Sequence, residues 1–354
     1  MKKHLAFGVV AAIMLSLSAI PAVAQGLQNV EVHGYMLNRF YTNPDSRAVF
    51  ATERLSISAV GQLGADGTAY TELYYHPWST SPLYVESVYV DLPLGEGRIR
   101  IGKGRQLNFG IVPSYPNRKT TQYGIVSEAF TADRIQGFQY AYKKNAFTFG
   151  ASMYTDLTVG TRGAGSFPGA TASQYVNHFS DRDSSTTPPG ELAYAAMLGF
   201  TTPCLTAHVS GAVGRLAQSN LATFATPYGV ATTDTDHDKY GVDFAYNRGP
   251  LVVQGEWYQG NFSFLEITGY QILAGYQPKD KMRAYVRYSA IDNGRSVVPG
   301  QQLTYDIQQL TVGLVQPIRK GVWAELNYER NWESTGGAPK VDNDILFVEF
   351  FTGF

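Results

Sequence analysis

Asp344 to Phe354 reads D-I-L-F-V-E-F-F-T-G-F. Stepping back in twos from Phe354 gives Thr352, Phe350, Val348 and Leu346; the interleaved set is Gly353, Phe351, Glu349, Phe347 and Ile345. Side chains of a strand alternate between two faces, so one face here is nearly all apolar and the other carries a carboxylate. A tilted strand of about this length crosses the hydrocarbon core of a bilayer. A barrel of such strands satisfies every backbone group without water, which a lone strand cannot do. The rest of the chain must therefore supply matching strands.

The other end of the chain is consistent with export. Lys2 and Lys3 precede an apolar run from Leu5 to Ile20, and Ala22-Val23-Ala24 follows. A basic start, a short apolar segment and an A-x-A site form a secretory signal peptide over residues 1–24, cleaved after Ala24. The run falls short of the ~20 residues of a spanning helix. Mean hydropathy is −0.16, which hides a barrel because only alternate residues need be apolar. The 24 Tyr and 19 Phe suit the aromatic girdles at the two edges of such a barrel. Loss of Lys2 and Lys3 with the leader takes the 28 basic residues to 26 against 29 acidic ones. That balance gives no electrostatic footprint for a nucleic-acid partner. Cys204 is the only cysteine, so no intramolecular disulfide forms.

From Gln25 onward the chain divides into sixteen alternating segments: about 29–42, 48–60, 68–76, 83–92, 98–104, 134–142, 146–157, 191–201, 205–216, 238–246, 251–259, 266–276, 281–291, 305–316, 321–330 and 344–354. The connection after every even segment is short, as at Lys143-Lys144-Asn145, Thr202-Pro203-Cys204 and Gln277-Pro278-Lys279-Asp280. The long connections, Arg105–Asp133, Thr158–Gly190 and Ala217–Asp236, all follow odd segments. An even strand count with loops sorted by parity is the rule for a transmembrane barrel, with short turns in the periplasm and long loops outside. A soluble sandwich has no reason to obey it. The predicted fold class is all-β, a closed sixteen-stranded antiparallel transmembrane barrel spanning residues 25–354.

Facing patterns agree. Met282, Ala284, Val286, Tyr288 and Ala290 oppose Arg283, Tyr285, Arg287 and Ser289. Putting Arg283 or Arg287 into lipid would cost ~2–4 kcal/mol each near the midplane, so both face the lumen. The same parity turns Arg39, Arg54, Arg98 and Arg100 inward, together with Glu31, Glu72, Asp91, Glu256 and Glu325. Charges of both signs make a wet lumen, and at sixteen strands a wet lumen is a channel. These arginines and carboxylates are the candidate pore-lining and selectivity residues; their plainer role is to pair and stiffen the wall. Inward Tyr35, Tyr70, Tyr89, Tyr258 and Trp323 could serve as a sugar slide, but filling space beside a constriction is the simpler reading.

Glu86-Ser87-Val88-Tyr89-Val90-Asp91, then Arg98-Ile99-Arg100-Ile101-Gly102-Lys103 after a Pro-Gly turn, with Phe109-Gly110 soon after, resembles the bacterial outer-membrane porin superfamily, nearest to its phosphate-selective O/P type. The resemblance implies a passive pore for small hydrophilic solutes with no enzymatic activity and no cofactor. It also implies a homotrimer, and a terminal Phe354 read by the barrel-assembly machinery. The third outer loop, here 105–133, would fold inward as a constriction carrying Arg105, Arg118, Lys119, Glu128 and Asp133. The phosphate-selective type also places lysines on its fifth outer loop; Ala217–Asp236 has none. The expectation is therefore a general pore with slight anion preference.

Two other motifs have plainer readings. Gly97 to Lys103 nearly spells a phosphate-binding loop, but Gly104 replaces the required Ser or Thr and the segment is a strand. Asp234, Asp236 and Asp238 space like the start of a calcium loop, yet Lys239 and Ala245 stand where Gly and Glu belong. They are weak metal candidates, or a cation bridge to lipopolysaccharide, and more simply a solvated acidic loop. With His237 they also suggest the Asp/His pairs of omptin-type outer-membrane proteases, which build ten strands. A non-conducting scaffold or receptor is the third alternative.

Overall fold

The computed structural model describes residues 27–42, 48–77, 82–107, 109–114, 118, 120, 122–132, 134–155, 158–165, 173–179, 192–216, 218–278 and 281–354. The leader 1–24, Lys119 and Asp133 lie outside the described residues. In chain order the elements are β1 (Leu27–Thr42), β2 (Val49–Leu63), β3 (Gly67–Tyr75), β4 (Leu83–Leu94), β5 (Gly97–Arg105), α1 (Ile125–Phe130), β6 (Arg134–Lys144), β7 (Phe147–Thr155), β8 (Thr158–Gly163), β9 (Gln174–Phe179), β10 (Leu192–Thr201), β11 (Leu205–Arg215), α2 (Gln218–Ala225), β12 (Asp236–Arg248), β13 (Leu251–Phe262), β14 (Leu265–Tyr276), β15 (Arg283–Asp292), β16 (Ile307–Arg319), β17 (Val322–Glu333) and β18 (Ile345–Gly353).

Sixteen of these strands close into one antiparallel barrel, in which β7 pairs with β10 and β18 returns to β1. Each lies within a few residues of the segment read from the alternation. The remaining two, β8 and β9, pair with each other as a separate hairpin. That hairpin stands inside the stretch expected to be a plain connection. Its six-residue strands are too short for the periodicity to stand out from a Gly- and Ser-rich background. Among the described residues no helix is long and apolar enough to cross a membrane; the strands do the crossing.

The alternation holds around the ring. On β12, Tyr240, Val242 and Phe244 are exposed outward while Lys239, Gly241 and Asp243 are buried inward. On β17, Leu326 and Tyr328 face out and Glu325, Asn327 and Glu329 face in. On β18, Phe350 is outside and Glu349 is fully buried inside.

Two of the register shifts in the barrel are bulges that turn an extra carboxylate inward. Leu37 pairs with Arg54 but Asn38 pairs with Thr52, so Glu53 is the added residue on β2. Glu72 pairs with Ser87 but Leu73 pairs with Val85, so Glu86 is added on β4. A bulge re-aims side chains locally. Strict alternation from Arg54 and Tyr89 would have sent both acids into lipid.

Closure is secured from both sides of the wall. Inside, Arg39 faces its cross-strand partner Glu349, with Nε 2.6 Å from Oε2. Outside, Gly34 and Phe354 exchange backbone hydrogen bonds of 2.8 and 2.9 Å, and the terminal ring lies over the glycine. A Cβ at Gly34 would sit 2.5 Å from that ring and 2.8 Å from the Ser56 carbonyl. Gly34→Ala is therefore expected to loosen the seam by about 1–3 kcal/mol. The check is the temperature at which the folded form converts to the unfolded electrophoretic form. A clear drop is predicted, and an unchanged midpoint would refute the account of the seam.

Candidate functional site: a narrowed lumen

Loop 106–133, between β5 and β6, folds into the barrel and is fastened to the far wall. Gly110 N donates to Tyr258 Oη at 3.2 Å and Ile111 N to Glu256 at 3.3 Å. The Ser127 hydroxyl also donates to Glu256. Gln271 Nε2 reaches Ser127 Oγ at 2.6 Å and the Tyr123 carbonyl at 3.4 Å. Arg287 donates to the Gln122 carbonyl at 2.9 Å, and Lys239 Nζ to the Phe130 carbonyl at 2.7 Å. With its amide oriented to satisfy both groups, the Gln122 side chain accepts from Arg39 at 2.9 and 3.1 Å. One loop thus touches β1, β12, β13, β14 and β15.

The physical reason lies in α1. Ile125, Val126, Ala129 and Phe130 are buried against Phe109, Tyr258, Phe262 and Ile267, and burial of apolar surface is worth about 25 cal/mol per Å². Phe130 stacks on Tyr258 with centroids 5.8 Å apart. Gly110 and Gly124 hold φ of 81° and 91°, which lets the backbone enter and leave this packing. Inward side chains on β12–β18 are mostly buried as a result. Those of Arg54, Tyr70, Glu72, Tyr84, Tyr89, Asp91 and Arg100 on β2–β5 are only half-buried. The open part of the lumen runs along β2–β5.

The inward arginines are distributed round the wall, each with its own partners. Arg100 forms a bidentate pair with Asp91 at 2.8 and 2.9 Å and lies 3.7 Å over the Tyr89 ring. Tyr89 stacks on Tyr70 at 5.0 Å. Arg54 lies 5.2 Å over Tyr74. Arg39 adds Glu53 at 3.6 Å to its bond with Glu349. Arg98 is exposed at the short-turn end, donating to the backbone carbonyls of Asp66 and Asp91. Arg283 binds the Gln277 side chain at 3.0 Å, and Arg287 reaches Glu329 at 3.5 Å.

Among the inward carboxylates, Asp91 pairs with Arg100. Glu31 meets His33, Glu72 accepts from Ser56 at 2.7 Å, and Glu325 accepts from Tyr285 and Asn327. Of the expected aromatic slide, Tyr35 and Tyr258 are buried. Trp323 is stacked on Phe351, and Tyr70 and Tyr89 stay half-open.

Where the loop leaves β5, Arg105 donates to Ser114 Oγ at 3.1 Å and Tyr123 Oη at 3.3 Å. Arg118 lies 3.7 Å over the Tyr123 ring. Arg134 pairs with the bulged Glu86 at 2.5 Å. Three guanidiniums surround one phenol. Sequence alone did not place Arg134, Glu86 and Tyr123 at one site, because a bulge and a loop crossing bring them together. Burial raises the Tyr123 phenol, but Arg118, Arg105 and Arg134 outweigh it and bring it down to about 7.

Asp234, Asp236 and Asp238 do not converge on a point. Asp234 caps the Asp236 N–H, Asp236 faces Arg215 at 3.5 Å, and Asp238 accepts from Asn261. His237 points inward against Phe262, away from both neighbours on its strand. Among the described residues no group of three His, Cys, Asp or Glu side chains is placed to hold a metal ion.

With this geometry the fold can be placed. OmpF of Salmonella typhi, solved with daunomycin, superimposes at TM-score 0.64 with 11% identity, covering 92% of this chain and 98% of its own. An anion-selective porin from Comamonas acidovorans gives 0.58 at 16% identity, covering 92% and 99%. The trimer form of OmpT, an outer membrane protein of Vibrio cholerae, gives 0.57 at 15%, covering 92% and 99%. The fold is that of the bacterial outer-membrane porins. No protein-family model and no curated protein sequence matches the chain.

One titration tests this arginine–tyrosine cluster directly. Ultraviolet absorbance of the folded protein should show one tyrosinate forming near neutral pH, lost in Tyr123→Phe. If no tyrosinate forms below about pH 9, the cluster is not arranged as described.

Proposed function

We propose that the protein is an outer-membrane porin passing small hydrophilic solutes and ions by diffusion, with slight anion preference. The observation that carries this reading is a sixteen-stranded closed barrel whose charged lumen is narrowed by the inward loop 106–133. Its outer face meets lipid and lipopolysaccharide, Phe354 is read by the assembly machinery, and three copies associate. The trimer form of the Vibrio protein supports that last reading by analogy.

Anion preference follows from the constriction. Arg105, Arg118 and Arg134 lie together there, and Glu86 is the carboxylate paired within that cluster. Rings of one charge sign set which ions pass. Between β4 and β5 the Arg100–Asp91 pair is itself neutral. The preference is accordingly weak, and with no Lys or Arg in Ala217–Asp236 there is no high-affinity phosphate site.

The protease alternative loses support from the same geometry. It calls for ten strands and converging Asp and His groups, whereas His237 turns away from Asp236 and Asp238.

Planar bilayers test the proposal. Purified protein should give stepwise conductance, and a membrane that stays sealed would reject the porin reading in favour of a scaffold or receptor. In a KCl gradient the reversal potential should indicate weak anion preference. Arg98→Ala with Arg100→Ala leaves Asp91 unmatched and should move it toward cations. An unchanged potential would remove these two arginines from the filter.

A further inference from the structure

The hairpin of β8 and β9 is rooted between β7 and β10, which are barrel neighbours. Its far end is fastened between β17 and β18. Asn343 Nδ2 donates to the Ala164 carbonyl at 3.0 Å and to Ser173 Oγ at 3.1 Å. Ser173 Oγ donates to Glu333 at 2.8 Å, and Asn331 Nδ2 to the Asn343 carbonyl at 2.8 Å. Gly165, with φ of 63°, fits so closely that a Cβ there would collide with the Asn343 carbonyl. Asn343 is 1% exposed and Ser173 fully buried.

The strand order gives this fastening its meaning. Going round the barrel from the β7–β10 junction to the β17–β18 junction, one path crosses β10 to β17 and the other β7 to β2, then β1 and β18. The two paths have equal numbers of strands. The hairpin therefore spans a full diameter of the barrel at its long-loop end. On the way it rests on the constriction loop. Arg162 Nε pairs with Glu128 on α1 at 2.6 Å, and Tyr175 Oη donates to the same carboxylate at 2.7 Å. Arg162 and Tyr175 are cross-strand partners. Val159, Ala164, Tyr175 and Val176 share one apolar cluster with Val126, Ala129 and Phe130.

A freely solvated loop would not bury Tyr175 to 1% or Val176 to 1%, nor place three side-chain amides and hydroxyls at its far anchor. The Arg162 side chain stays 39% exposed while it pairs with Glu128. Resting on the porin reading above, we propose that the β8–β9 hairpin is a second constriction, a strap across the mouth that limits the size of solute admitted. Loop 106–133 and the strap act as one unit through Glu128, and Arg162 presents positive charge to solutes passing beside it.

The test compares three proteins in planar bilayers and in liposomes swollen with sugars of graded size. They are wild type, a variant with residues 158–190 replaced by a short Gly-Ser linker, and a fastening variant, Arg162→Ala, Ser173→Ala, Tyr175→Phe and Asn343→Ala, which keeps the hairpin but removes the side-chain hydrogen bonds and ion pair described above. Wild type should conduct, and the linker variant should conduct at least about twofold more and admit larger sugars. The fastening variant, which needs no refolding around a deletion, should shift both readouts in the same direction. Wild-type conductance and size limit in both variants would overturn the strap while leaving the porin reading intact. No conductance from any of the three would reject the porin reading and the strap with it.

Discussion

Hydrocarbon offers no hydrogen bonds, so every backbone N–H and C=O that enters it must be satisfied within the protein. Sheet edges are therefore forbidden, and the structure depends on the ladder between β1 and β18. Eight residue pairs from Tyr35–Gly353 to Thr42–Leu346 form that ladder. The buried Arg39–Glu349 pair spans it on the lumen side, and the Phe354 ring lies over Gly34 on the other. Breaking a buried pair by removing one partner costs about 3–5 kcal/mol, because the other charge is left uncompensated. The seam is thus held by charges that face the lumen.

From closure follows the division of labour between faces. Once the lipid side must be apolar, charge in the spanning segments is driven inward, where it needs water or a partner. Along β12–β17 partners win. Lys239, Glu256, Gln271 and Arg287 hold the inward loop, and the loop covers them. Along β2–β5 water keeps a share, and Arg54, Glu72, Asp91 and Arg100 remain half-buried. The asymmetry of the lumen is a consequence of where α1 finds an apolar wall, on β13 and β14, rather than of the charges themselves.

The barrel was legible because a two-residue period and parity-sorted loops are properties of the chain alone. Asp344 to Phe354 displays both faces without help from any neighbour. The inward arginines could be read for the same reason, since lipid penalises the alternative. Glu53 and Glu86 could not. Each is an added residue in one strand of a pair, and register belongs to two strands at once. Arg134 and Tyr123 come to Arg105 and Arg118 only after a loop crosses the lumen. Tyr175, at a position expected to be plain connection, becomes core only because α1 lies beneath it.

The central claim is that loop 106–133 lies inside the barrel against β13 and β14. Thiol cross-linking measures this most directly, with Ser127→Cys and Glu256→Cys introduced into a Cys204→Ser background and a short bifunctional reagent applied to the folded protein. Because Ser127 donates to Glu256, efficient intramolecular cross-linking is predicted, with a control pair at Ser127 and the outward Phe350 giving none. Equal, low cross-linking of both pairs would contradict the account, because the loop would then not be seated in the lumen.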